Sequence, residues 1–222
     1  MKVLVFDTET TGLPLDHTAP VNDSSKWPHI IQLGFIVFDT TSKEILEYSD
    51  SIIQLDESVE ITPASISIHQ ITAQRSQSEG ILMKQALQHF ADCIKDVDVI
   101  VGHNIIFDKR MLMVEFHRNN VRNCFYRNGK AIPDFCTMKR SIDLCKIPTI
   151  NKMTGEIYNK WPTLTELHVY LYGEKPKGTH NAIADVMICL RCYVQMEHKM
   201  DIALDNDVKL VFRSLFASYC IQ

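Results

Sequence analysis

Val3-Leu4-Val5-Phe6 is an unbroken apolar run that stops on an acid, Asp7. A strand that is apolar at every position is buried on both faces, so it belongs inside a sheet with helices on either side. The rest of the chain supplies the partners. Residues 30–38 and 45–55 read as two further strands joined through Thr40-Thr41-Ser42, and 97–101 as a short buried strand. Residues 14–28, rich in Pro, Asp, Asn and Ser, read as a loop. The spacing of apolar residues predicts helices over 63–68, 78–94, 107–116, 164–172 and 181–196, with a C-terminal helix over 206–219 packed on the outside. The stretch 118–163 is irregular: a strand or turn near Asp134-Phe135-Cys136-Thr137, a helix beginning near Met138, and a loop or small hairpin over 146–161. Strands first, then helices alternating with short strands, predict one α/β domain over 1–222 with a mixed central sheet flanked by helices.

The net charge of −4 argues against a protein that coats nucleic acid by bulk charge. That charge is uneven. Residues 109–160 hold eleven Lys and Arg against Glu115, Asp134, Asp143 and Glu156, a regional +7 that leaves −11 elsewhere. Such a stretch is either a solvated loop surface or a track for a polyanion. The seven cysteines lack the spacing of a disulfide framework, and Cys189-x-x-Cys192 has no second pair to complete a zinc site. Free thiols, no signal-peptide pattern and no apolar run near 18 residues lead to an expected intracellular location, cytoplasmic or nuclear, without a membrane.

Five residues carry the chemistry. Asp7 and Glu9 are two apart at a strand end and share a face. Asp108 follows Gly102-His103-Asn104-Ile105-Ile106-Phe107, between a buried strand and a helix, with Asn104 bracing the turn or capping the helix. His180 and Asp185 would diverge on one helix. They converge if His180 lies on the Lys177-Gly178-Thr179 loop and Asn181 caps the helix that follows. Each is ordinary alone: Asp-x-Glu is near chance, acids cap helices, and a lone histidine is usually a surface one. Brought together, the four carboxylates can hold two hard divalent cations, and the histidine can take a proton from a metal-bound water.

In order and spacing these residues resemble the DEDDh 3′→5′ exonucleases, the family of bacterial proofreading subunits and ribonuclease T. The resemblance rests on Phe6-Asp7-Thr8-Glu9-Thr10-Thr11-Gly12-Leu13, on His103-Asn104-Ile105-Ile106-Phe107-Asp108 and on His180-Asn181-Ala182-Ile183-Ala184-Asp185. A looser match is Ile68-His69-Gln70-Ile71-Thr72, where the family has glycine at the position of Gln70 and the backbone is therefore expected to differ. The resemblance implies a ribonuclease H-like fold and two Mg²⁺ ions, with Mn²⁺ as a substitute. It puts Asp7, Glu9 and Asp185 on the first metal, Asp7 and Asp108 on the second, and makes His180 the base. It also implies that Thr8, Glu9 and Thr10 hold the terminal 3′-hydroxyl through backbone groups. Leu13 and Phe107 would pack on the last bases, His69 would sit near the terminal nucleotide, and nucleoside 5′-monophosphates would be released. The expected partner is a DNA or RNA 3′ end, DNA slightly ahead. A stand-alone trimming enzyme, a subunit serving a polymerase and a homodimer all stay open.

Overall fold

The structure, a computed structural model, describes residues 1–176 and 178–203. β1 (Lys2–Thr10), β2 (Ile30–Asp39) and β3 (Glu44–Ile52) form an antiparallel meander. Helices α1 (Pro63–His69), α2 (Ala73–Glu79) and α3 (Met83–Cys93) lead to β4 (Val99–Gly102), parallel to β1. After α4 (Ile105–Arg118) come a tight hairpin, β5 (Tyr126–Arg127) with β6 (Lys130–Ala131), and then β7 (Asp134–Cys136), parallel to β4. Short helices α5 (Thr137–Arg140) and α6 (Ile142–Cys145) precede a ribbon of β8 (Pro148–Ile150) and β9 (Ile157–Asn159). Helices α7 (Leu164–Tyr172) and α8 (Ala182–His198) follow. The main sheet runs β3-β2-β1-β4-β7, so the apolar run at Val3–Phe6 lies in its central strand and the sheet is mixed, as expected.

Strand alternation divides the interior into two layers. Leu4 and Phe6 enter a core with Leu33, Phe35, Phe90 and Leu112, on the side of α3 and α4. Val3 and Val5 enter the other, with Ile36, Phe38, Ile183 and Val186, on the side of α8. In the first layer Phe90 meets both Phe6 and Phe35 edge-on, with centroids 5.4 Å apart, a geometry that adds about 0.5–1.5 kcal/mol per pair beyond burial.

The helix read over 78–94 is interrupted. Ile81 donates to Ile52 O at 2.9 Å and accepts from Gln54 N at 2.8 Å, so Gly80-Ile81 pairs with the end of β3 instead of continuing a helix. A Cβ on Gly80 would lie 2.2 Å from Ser76 O and 2.5 Å from Gln54 N. The apolar period runs on through the break, which is why the sequence conceals it. The helix expected over 206–219 lies outside the described residues. The basic stretch is not one patch, because several of its cations are used internally. Arg118 donates to Ser24, Trp27 and Pro28 carbonyls, Arg110 to His17 O, Arg127 to Val97 O, and Lys109 to Asp134. Among the described residues no helix is long and apolar enough to cross a membrane.

Candidate active site

β1 carries Asp7 and Glu9 on the side of α8, with Thr8 between them on the side of α4. Asp7 lies opposite Gly34, and Glu9 opposite Gln32. Those two β2 residues dock α8. A Cβ on Gly34 would sit 2.7 Å from the backbone of Ala182 and Ile183, so the first turn of α8 rests directly on the sheet. Gln32 is buried; its Oε1 accepts from Ala182 N at 3.1 Å and its Nε2 donates to Asp50 Oδ1 at 2.7 Å. Held this close, α8 presents Asp185 to β1. One carboxylate oxygen from each of Asp7, Glu9 and Asp185 falls within 4.8 Å of the others.

Asn181 caps α8, its side chain accepting from Ala184 N at 3.3 Å. His180 stands just before it on the loop, exposed, with φ at 70°. Its backbone N–H donates to Asp185 Oδ2 at 3.0 Å. The peptide, not the imidazole, therefore orients this carboxylate.

Asp108 arrives from the other layer, buried in the first turn of α4. Its Oδ1 accepts from Thr8 N at 3.1 Å and from Thr8 Oγ1 at 2.8 Å, which ties it to the strand between Asp7 and Glu9. Asn104 makes no side-chain cap. It braces the turn instead, in the left-handed region at φ 65°, with its carbonyl accepting from Phe107 N at 2.9 Å. Asparagine tolerates this conformation better than most residues.

Among the described residues, every neighbour acting on Asp7 and Glu9 is another carboxylate. Burial, then Asp108, Asp185 and Glu9, hold Asp7 well above the usual carboxylate range. Burial, then Asp185 and Asp108, push Glu9 up to about 8. Burial raises Asp108 to about 7 against the opposing pull of the Thr8 hydrogen bonds. Asp185 is raised by burial to about 6, the His180 N–H and charge opposing.

The remaining residues singled out from the sequence surround this centre. Thr10 Oγ1 donates to Gly12 O at 2.8 Å, and Leu13 just beyond is 76% exposed. Phe107 is half-buried against the layer of α3 and α4. His69, at the end of α1, is buried. Its Nδ1 accepts from Ile71 N at 3.0 Å, which puts the proton on Nε2. That N–H approaches the Thr10 backbone without completing a hydrogen bond. Gln70 takes φ 61° and ψ 17°, the conformation a glycine enters freely, so the backbone runs there despite the side chain. The roles of Gln32 and Gly34 are invisible to motif matching. Their signal is that they interrupt the otherwise apolar Ile30-Ile31-Gln32-Leu33-Gly34-Phe35-Ile36 at alternate positions. A cavity of about 640 Å³ beside Lys95, Arg122 and Tyr126 lies at the far end of α4 and touches none of these groups.

The family model described as RNase_T, exonuclease, matches residues 4–193. No curated protein matches the chain. Among solved structures, E. coli exonuclease I in complex with a dA16 oligonucleotide aligns with TM-score 0.63 and 17% identity, over 88% of this chain and 41% of that one. A zinc-bound form of the E. coli exonuclease I–ssDNA complex aligns with TM-score 0.65 and 17% identity, over 89% and 41%. Exonuclease I from Methylocaldum szegediense aligns with TM-score 0.63 and 18% identity, over 98% and 42%. The chain thus spans about two-fifths of the length of these proteins. At these identities the likeness is one of fold.

Proposed function

Because the chain belongs to the RNase_T exonuclease family, of DEDDh type, we propose that it removes nucleotides one at a time from the 3′ end of single-stranded or frayed nucleic acid, DNA ahead of RNA. The observation that carries this reading is the convergence of Asp7, Glu9 and Asp185 oxygens within 4.8 Å. Asp108 stands beside them, tied to Thr8, and His180 is bonded to Asp185. The preference for DNA is supported by the oligodeoxynucleotides bound to the fold's solved relatives.

An all-carboxylate donor set with no counter-cation among the described residues fits hard divalent ions such as Mg²⁺ or Mn²⁺. Asp7, Glu9 and Asp185 would hold one ion; Asp7 with Asp108, directly or through water, would hold a second. Bound there, such ions supply Lewis-acid activation of water and neutralise charge on the phosphate and the leaving 3′ oxygen. His180, on its exposed loop, takes the proton of the attacking water. Backbone groups of Thr8, Glu9 and Thr10 hold the terminal sugar, and the buried Nε2–H of His69 faces the same end. Leu13 and Phe107 pack on the last bases, a contact that accepts any base. The product is a nucleoside 5′-monophosphate.

The test is a matched panel of 5′-labelled DNA and RNA, single-stranded, duplex and mismatched, with Mg²⁺ at one salt concentration. Shortening from the 3′ end with release of 5′-monophosphates is expected. No laddering on any substrate, with Asp7→Ala indistinguishable from the parent, would sink the reading.

The acids also predict how stability depends on pH. Their folded pKa values, about 6 to 8 for Asp185, Asp108 and Glu9, lie above the ordinary values near 4 of an unfolded chain. Their contribution to stability is therefore fully present below about pH 4 and is lost as pH rises through 6 to 8. A bound divalent cation reverses that loss and binds better as protons leave. The melting temperature in millimolar Mg²⁺ minus that in chelator should widen between pH 6 and pH 8, by about 5 °C or more. A difference that stays flat or narrows contradicts metal binding at these carboxylates.

A further inference from the structure

The ribbon β8–β9 is largely exposed. A two-stranded hairpin is marginal on its own in water, so its anchors matter. Its turn is built on Asn151: Asn151 N donates to Glu156 O, Gly155 N donates to Asn151 O, and Asn151 Oδ1 accepts from Met153 N. Lys160 N donates to Ile147 O across its base. Immediately beyond, Pro162 O accepts from His103 Nε2 at 3.0 Å. The carbonyl can only accept, so Nε2 carries the proton and Nδ1 accepts from Thr137 Oγ1 at 2.9 Å. Burial holds this imidazole neutral, down to about 4, in keeping with that pattern.

His103 is well placed for such an anchor. β1 and β4 are parallel, and His103 follows the C-terminal end of β4, so it lies at the same end of the sheet as Asp7. The ribbon thus hangs from the end of the strand next to β1, at the carboxylate end of the sheet. Its surface is unlike a solvated loop. Trp161 is 58% exposed, Tyr158 53% and Met153 95%. Lys146 and Lys152 are interleaved with them, against Glu156, while Lys160 is paired with Glu166 at 2.6 Å. Exposed aromatics among cations are what a single strand needs: π-faces for successive bases, and positive charge for the phosphates between them.

We propose that the ribbon β8–β9 and Trp161 form a stacking track for the single strand on the 5′ side of the nucleotide being removed. The inference rests on the 3′-end trimming proposed above and names where that substrate lies. Charge complementarity and continuity with the carboxylate end of the sheet select a nucleic-acid strand as the occupant.

The experiment compares the parent with Tyr158→Ala/Trp161→Ala and with Lys152→Ala, using Mg²⁺ and single-stranded substrates from a dinucleotide to a 15-mer. Melting temperature serves as a check on folding. For the aromatic pair, KM for the 15-mer should rise about ten-fold or more with kcat little changed. The dinucleotide, too short to reach the ribbon, should be cleaved as by the parent. For Lys152→Ala the salt dependence of 15-mer binding should become shallower. Equal KM at every length overturns the proposal, and so does an equal loss on the dinucleotide. Anisotropy of a labelled 15-mer in Ca²⁺ reads the same contact without turnover. A parent that binds the 15-mer through the ribbon yet cleaves nothing sinks the trimming activity alone. A parent that cleaves, with variants that bind and cleave like it, sinks the track alone.

Discussion

Asp7→Asn should abolish nuclease activity, by at least about 10³-fold, while making the metal-free protein more stable. The two effects have one cause. Asp7 lies in the central strand, and burial together with Asp108, Asp185 and Glu9 disfavours its charge. Nothing among the described residues offsets that cost; a bound cation would. The amide keeps the shape and drops the charge, so it removes the repulsion and the metal ligand together. The gain should be on the order of 1–2 kcal/mol, about 5 °C in melting temperature, read in chelator near pH 8. It should shrink as pH falls and the carboxylate takes up its proton, since the amide then replaces an uncharged group. Glu9, pushed up to about 8 by burial and then by Asp185 and Asp108, should show the same pair of effects from nearer the strand's end. An Asp7→Asn protein that still trims 3′ ends removes the carboxylate centre from the mechanism. One that melts earlier than the parent in chelator makes Asp7 a structural acceptor.

The same residues show how far the sequence could be read. The strand Val3–Phe6 ending in Asp7 was legible because full apolarity has one structural meaning, and Asp7-x-Glu9 because strand alternation leaves no choice of face. The placement of His180 before α8, with Asn181 as its cap, was legible because Gly178 and Asn181 are local signals. What brings the layers together was not. The close approach of α8 depends on Gly34 having no side chain and on Gln32 bridging Ala182 and Asp50. These contacts join residues 18 and 150 positions apart, and no spacing rule reaches across such separations. Thr8 illustrates the same limit. The resemblance offers it as a backbone contact to substrate, while its hydroxyl, pointing to the other layer, holds Asp108. The break at Gly80-Ile81 was hidden for the opposite reason: the helical period was present, and a backbone pairing with the end of β3 overrode it.

His180→Ala should lower kcat by about 10²–10⁴-fold and leave divalent-ion affinity close to the parent's. This separation follows from how the residue is attached. The contact between His180 and Asp185 is made by the peptide N–H, at 3.0 Å to Oδ2, and alanine keeps that N–H. The imidazole stands on an exposed loop residue. On the proposed reading, removing it takes away the proton acceptor and leaves the carboxylate ligands in place, so turnover falls while ion binding is kept. Proline at the same position is the contrasting case. It has no N–H to give Asp185 and cannot adopt the φ of 70° found here, so His180→Pro should lose ion binding as well as turnover. Titrations of Mn²⁺ into the parent and both variants, beside kcat on one 3′-ended oligonucleotide, tell the two apart. If alanine weakens Mn²⁺ binding as much as proline does, the imidazole is a ligand or a support, not the base. If alanine leaves turnover intact, another group takes the proton, and the left-handed turn at His180 serves only to aim the carboxylate of Asp185.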